Sequence, residues 1–194
     1  MTRRGRKPFP LVTVALVVAV LAAFGLELAN PDPLAFAERF GFVAAAPSFG
    51  TALSSLFVHD PNGWTHIGGN VAVLLVVGTL VERSIGSVRF LSLFVAGGLF
   101  GAGLHLVIDP TSTVALVGCS GSLFAILAVA ATLYGPGMLA FVVVLITANV
   151  AHAFGAPGDA GVSFAAHLGG AFVGAAVVVL ARLRGVELRH AVTA

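Results

Sequence analysis

Charged side chains are scarce in this chain. Only 9% of its 194 residues are Asp, Glu, Lys or Arg, whereas 58% are hydrophobic. A soluble domain carries about 25% charged residues, so this composition cannot cover a water-facing surface and predicts an integral membrane protein. The basic residues lie in short patches beside apolar runs and form no basic face. We therefore expect no nucleic-acid partner, and the length fits one compact bundle without a second domain.

Several kinds of site are also missing from the sequence. The single cysteine, Cys119, excludes an internal disulfide. No HExxH string is present, which disfavours a zinc protease, and no two apolar runs carry facing acidic residues at one depth, which disfavours an aspartyl protease. The broken helices or inverted repeats of a small transporter are not visible. We expect no metal and no cofactor.

Six apolar runs have roughly the 20-residue length that a bilayer requires. They cover approximately residues 11–29, 64–81, 88–107, 116–134, 138–154 and 161–183. We interpret the first as a span and not as a cleaved signal peptide, because no Ala-x-Ala-like site follows it cleanly. The sequence thus predicts an all-α bundle of six transmembrane helices over residues 11–184, between a basic N-terminus (1–10) and a tail (185–194).

Basic residues mark one side of this bundle. Six spans place both termini on the same side, and that side holds nine of the ten Lys and Arg residues; only Arg39 lies opposite. Because basic residues stay in the cytoplasm, both termini are predicted to be cytoplasmic, in what we take to be the plasma membrane. The long loop over residues 30–63 then lies outside. It is rich in Phe and Leu, and we expect it to lie partly in the membrane interface.

Polar side chains inside apolar spans are costly and are therefore candidates for function. Ser120, His167 and Asn70 lie on three different predicted spans that enter from the outside. They lie six residues beyond residue 114, six beyond residue 161 and seven beyond residue 63, respectively. At about 1.5 Å per residue, all three reach a depth of about 10 Å. His66 lies one turn above Asn70 on the same helix face. Four polar groups therefore form one layer.

This layer suits acyl transfer. A serine hydroxyl needs a base within hydrogen-bond reach, and His167 can supply one near neutral pH. Asn70, His66 and main-chain N–H groups at the start of the fourth helix can stabilise a developing oxyanion. No Asp or Glu shares the depth of His167, so we predict a Ser–His dyad without a third acid.

Four strings in this order resemble the rhomboid family of intramembrane serine proteases. They are HxxxN at residues 66–70, ExxxG at 82–86, GxSG at 118–121 and AHxxGxxxG at 166–174. The resemblance implies that Ser120 is the nucleophile and His167 the base. It also implies an oxyanion hole of His66, Asn70 and the amides of Cys119 and Ser120. A Trp-Arg pair that usually precedes the family's Phe-x-His string (residues 57–59 here) is absent.

The resemblance further implies that the substrates are single-pass membrane proteins, cut beside small residues where their spans unwind near the outer face. The partners are then these proteins and lipid, and the oligomeric state stays open. An alternative is a non-catalytic rhomboid-like protein that escorts membrane clients. Such proteins typically lack the serine or the histidine, whereas this chain has both Ser120 and His167.

The remaining polar residues in or near the spans are expected to be structural. Glu27 should lie close enough to the outer end of the first span to reach water. His59 should hold the outer loop by hydrogen bonds, and His105 should be an interface group near the outer end of the third span. Gly170 and Gly174 form a small-residue face that should pack against Gly121 and Ala125 of the fourth span. Gly169 should lie off this face.

Overall fold

The computed structural model describes residues 9–155, 163–186 and 188. Most of the predicted N-terminal segment and tail therefore lie outside the described residues. The helices are α1 Leu11–Leu28, α2 Pro33–Phe40, α3 Phe49–Ser54, α4 Trp64–Val73, α5 Thr79–Ile85, α6 Ser87–Ile108, α7 Ser120–Tyr134, α8 Pro136–Gly155 and α9 Phe164–Leu183. A π-helical segment, Leu74–Gly78, joins α4 to α5, and the short strands are β1 Phe42–Val43 and β2 Ala115–Leu116.

Several of the helices are long and apolar, as predicted. Within the described residues, four are long and apolar enough to cross a membrane: α1, the continuous helix Trp64–Ile85, α6 and α9. The fifteen residues of α7 are apolar but span only about 22 Å, and α8 is apolar over its described side chains. The all-α membrane bundle is confirmed, while the count of six spans stays a prediction.

The central helix of the bundle is α7. From Gly121 to Ala130 every residue except Ala128 is buried, so this helix touches other helices on all sides. Its neighbour α9 lies close enough that a Cβ on Gly170 would strike Gly121 O, and one on Gly174 would strike Ala125 O. The predicted contact between these two small-residue faces is confirmed. It sets the distance between the two helices that carry Ser120 and His167.

Gly169 lies off the face that meets α7, as expected, but it packs closely against a different helix. This residue is buried, and a Cβ there would lie 2.8 Å from the Cα of Gly101 on α6 and 3.0 Å from Phe100 O. Two neighbours, α6 and α7, therefore contact α9 through small residues. A helix held on two sides needs two small faces, and Gly169 belongs to the second.

Two helices begin later than the apolar runs suggested. The fourth span was predicted from residue 116, but α7 begins at Ser120. The residues before it form β2, which pairs antiparallel with β1, Phe42 opposite Leu116 and Val43 opposite Ala115. The sixth span was predicted from residue 161, and α9 begins at Phe164. Ser120 and His167 therefore lie in the first turns of their helices.

A buried carboxylate, that of Glu82, binds the start of α1 at the end of the bundle opposite Ser120 and His167. Glu82 accepts hydrogen bonds from the main-chain N–H groups of Val12 and Thr13, at 3.0 and 2.7 Å, and from the hydroxyl of Ser87 at 2.7 Å. The first N–H groups of a helix have no partner within it, and Glu82 supplies one. These bonds join the start of α1 to α5 and to the start of α6.

Candidate active site

Ser120 and His167 are in direct contact. The Oγ atom of Ser120 lies 2.8 Å from Nε2 of His167. The serine is half-buried as the first residue of α7, and His167 is buried in the first turn of α9. The His167 ring stacks on Phe124, with 4.4 Å between ring centroids and 17° between planes. Phe124 lies one turn beyond Ser120 on α7, so the helix that carries the serine also supports the imidazole.

The main chain before Ser120 has a conformation that requires glycine. Gly118 has φ +98°, in the region that residues with a side chain rarely adopt. A Cβ there would lie 2.8 Å from Nε2 of His66 and 3.2 Å from Nδ2 of Asn70. Both side chains from α4 therefore lie directly against the chain two residues before the serine. The main-chain N–H of Gly118 donates to Ser55 O at 2.8 Å and fixes this turn.

The predicted oxyanion donors converge on this turn. Asn70 is 6% exposed and His66 is half-buried, and both approach Gly118. Cys119 is fully buried and is the N-cap of α7, so its N–H and that of Ser120 belong to a helix start, where donors and the helix dipole favour an anion. The structure thus brings together all five residues named from the sequence as site residues: Ser120, His167, His66, Asn70 and Cys119.

The second ring nitrogen of His167, Nδ1, differs from Nε2 in its surroundings. Nδ1 is buried and has no hydrogen-bond partner among the described residues. If Nε2 is to accept the proton of Ser120 Oγ, Nδ1 must carry the ring proton, without a carboxylate among the described residues to pair with it. This arrangement suits the dyad interpretation. Among the residues that the structure describes, no three His, Cys, Asp or Glu side chains are grouped so as to hold a metal ion.

A second contact fixes the start of α9. Ser163 is its N-cap, and Oγ accepts from the N–H of Ala166 at 3.2 Å. The same Oγ lies 2.9 Å from Nδ1 of His105 on α6. His105 was expected to be an interface group, but it is partly buried against the turn that precedes His167. Its position near the end of a long apolar helix gave no sign of a partner 58 residues away.

For two residues near the site, the contacts expected from the sequence were wrong or incomplete. Glu27 was expected to reach water, but it is fully buried, and Oε2 accepts from the main-chain N–H of His59 at 3.3 Å. His59 was expected to hold the outer loop, and its Nε2 also lies 2.9 Å from Nδ2 of Asn70. A charge close to the end of an apolar run is the only sequence signal for Glu27.

Comparisons with known proteins point to one family. A family model described as the Rhomboid domain matches residues 47–184. The rhomboid protease GluP of Bacillus subtilis is 31% identical over 130 residues, which cover 62% of this chain and 25% of that protein. The chain thus spans about a quarter of the length of this relative. Both helices that carry Ser120 and His167 lie inside the matched range, and the chain belongs to the rhomboid family.

Proposed function

We propose that this protein is an intramembrane serine endopeptidase, which hydrolyses peptide bonds in or near transmembrane segments. The observation that carries the proposal is the 2.8 Å contact between Ser120 Oγ and His167 Nε2, at one end of a bundle of apolar helices. A hydroxyl and an imidazole at this distance can exchange a proton. A purely structural serine in a membrane helix would bond a carbonyl of its own helix instead.

The proposed reaction follows the acyl-enzyme route. The Oγ of Ser120 attacks the carbonyl carbon of the scissile bond while His167 Nε2 takes its proton. Donors from His66, Asn70 and the amides of Cys119 and Ser120 stabilise the oxyanion of the tetrahedral intermediate. His167 then gives the proton to the leaving amine, and a water molecule, activated by the same nitrogen, hydrolyses the acyl-enzyme. In this dyad His167 Nε2 alone takes and returns the proton, since Nδ1 has no hydrogen-bond partner among the described residues.

The surroundings of the site support a membrane-protein substrate. Large apolar side chains are exposed on the helices around it, among them Trp64, Phe164, Leu168 and Phe172. A lipid-embedded segment can approach such a surface, whereas a soluble peptide would have to leave water. From the resemblance to the family, we infer that a substrate helix unwinds near the site before it is cut.

The orientation in the membrane is also a proposal. We infer that both termini are cytoplasmic in the plasma membrane and that the site opens to the outer face, because nine of ten basic residues fall on the other side. A cysteine introduced in place of Arg182 should resist an impermeant thiol reagent in intact cells, whereas one in place of Asn62 should react. The reverse pattern would place the site on the cytoplasmic face.

Labelling with a fluorophosphonate probe tests the chemistry. We expect the purified protein to be labelled and to cleave a single-pass reporter protein, and both activities to disappear in Ser120→Ala and His167→Ala. The two losses should not multiply, because paired catalytic residues act as a unit. Ser122→Ala is the matched control, since Ser122 is a buried serine on α7 whose Oγ has no hydrogen-bond partner among the described residues.

The alternative function, a non-catalytic escort of membrane clients, makes the opposite prediction. The wild-type protein would then retain a reporter membrane protein on an affinity column without cleaving it. Fluorophosphonate would label neither the wild type nor Ser120→Ala. A folded wild-type protein that shows this behaviour would contradict the protease proposal.

A further inference from the structure

Glu27 is a buried carboxylate near one end of an apolar bundle. It lies in the last turn of α1 and is fully buried. Burying such a group is costly unless hydrogen bonds satisfy it, and its position in an apolar helix makes a functional role the first expectation. Oε2 accepts from the main-chain N–H of His59 at 3.3 Å, and Oε1 is buried without a partner among the described residues. The carboxylate therefore fastens α1 to the segment that carries His59.

The His59 ring is held in one tautomer. Its Nδ1 lies 3.1 Å from Phe57 O, and because a carbonyl can only accept, Nδ1 carries the proton. Burial, with a smaller effect of nearby His66, lowers the pKa of His59 to about 4, so the ring is neutral at neutral pH. In a neutral ring with Nδ1–H, Nε2 is an acceptor.

This acceptor fixes the amide of Asn70. The Nδ2 of Asn70 lies 2.9 Å from His59 Nε2, so one of its two N–H bonds points at the ring. The orientation of the amide group follows from this contact, since the other orientation would set two acceptors against each other. The second N–H of Nδ2 is then left on the side of Gly118, next to Ser120.

We propose that Glu27 is a positioning residue, which holds the main chain of His59 so that the His59 ring orients the Asn70 amide toward the oxyanion. This inference rests on the proposed protease function. Preorganised donors must keep their place within about 0.5 Å to stabilise a transition state. Glu27 lies two contacts away from Asn70, and it acts on the reaction only through that amide.

The first test replaces the carboxylate by a side chain of similar length without an acceptor. Losing one oxyanion donor costs about 10²–10³ in kcat, and a misdirected donor should cost part of this. We expect Glu27→Met to lower kcat for the reporter protein about tenfold or more while KM hardly changes. Glu27→Gln keeps an oxygen acceptor and should restore most of the rate. Leu26→Met, at the exposed neighbouring position, controls for substitution in α1.

A double-mutant cycle separates positioning from general stability. In the Asn70→Ala background, Glu27→Met should cause no further loss of kcat, because the amide on which it acts is gone. A structural defect would lower the rate in both backgrounds by the same factor. Equal factors, or a wild-type kcat in Glu27→Met, would overturn the proposal.

The ring provides a second test if Glu27→Met does not fold. In His59→Gln the side-chain oxygen can take the place of Nε2, whereas His59→Asn reaches only the position of Nδ1. We expect His59→Gln to keep more of kcat than His59→Asn, and equal losses would overturn the positioning role. If the wild-type protein neither cleaves the reporter nor is labelled, both the protease proposal and this inference are contradicted. If the wild type cleaves but the variants do not show the expected differences in kcat, only this inference is contradicted.

Discussion

Gly101 lies where α6 meets the first turn of α9. A Cβ on this residue would be 2.6 Å from Ala166 O, 0.8 Å less than the 3.4 Å at which ordinary contact begins. Ala166 directly precedes His167, and the obstructing atom is main chain, which cannot turn aside as a flexible side chain does. The replacement Gly101→Ala must therefore push the first turn of α9 away from α6 or distort it.

The size of this displacement gives the expected loss of activity. His167 Nε2 lies 2.8 Å from Ser120 Oγ, and a full 0.8 Å along that line would bring the distance to about 3.6 Å, where no hydrogen bond remains. A misplacement of about 1 Å can cost on the order of 10²-fold in rate. Because other atoms will absorb part of the shift, we expect Gly101→Ala to lower kcat by about 10- to 10²-fold.

The assay is cleavage of a single-pass reporter protein by purified protein in detergent, at saturating substrate, with thermal unfolding measured in parallel. Gly103→Ala is the matched control, because Gly103 lies on the same helix and a Cβ there would have no atom within 4 Å. A wild-type kcat in Gly101→Ala would refute the reasoning. So would an equal loss in Gly103→Ala, since the contact with Ala166 would then not be the cause.

Three further predictions rest on other contacts. Gly174→Leu should lower both Tm and cleavage because its side chain would meet Ala125 O; Ala175→Leu, at an exposed position on α9, should leave both unchanged. Ser163→Ala removes the N-cap of α9 and should lower the free energy of unfolding by about 1 kcal/mol, measured by denaturation in detergent, whereas Ser163→Thr should lower it less. The pKa of His59 is lowered to about 4, so the unfolded state binds the proton more readily between about pH 6.5 and 4. Stability should therefore fall as the pH drops through this window. If the Tm of His59→Gln fell just as steeply with pH, His59 would not be the cause of the fall.

The site was predictable because polar side chains are rare in this sequence. Ser120, His167 and Asn70 stand out in apolar spans, where a polar group without a role is selected against by its cost. Helix geometry then places them at a common depth without any knowledge of the packing. The facing glycines of α9 were predictable for a related reason, since small residues four apart are what close helix contacts require.

Other features depend on contacts that no local pattern encodes. The burial of Glu27 requires an N–H group of His59, 32 residues away in a loop. The start of α7 depends on the pairing of β2 with β1, and two-residue strands are too short to show a period of two. The close contact of Gly169 with α6 was not predictable, because the sequence suggested one neighbour for α9, while the bundle supplies both α6 and α7.

The shortness of α7 has a consequence for the membrane around the protein. Lipid cannot reach the buried part of this helix, so its length is free of the need to match the bilayer, and it spans about 22 Å against a hydrocarbon core of about 30 Å. Tyr134 ends it, with a hydroxyl that donates to Leu80 O at 2.8 Å, and aromatic residues favour the membrane interface. If Tyr134 lies at one interface, Ser120 lies about 8 Å below the other. The lipid-facing helices adapt to a thicker bilayer by tilting less, whereas α7 stays the same length. Thicker membranes therefore bury Ser120 more deeply, and the acyl chain length of the lipids affects how easily water reaches it.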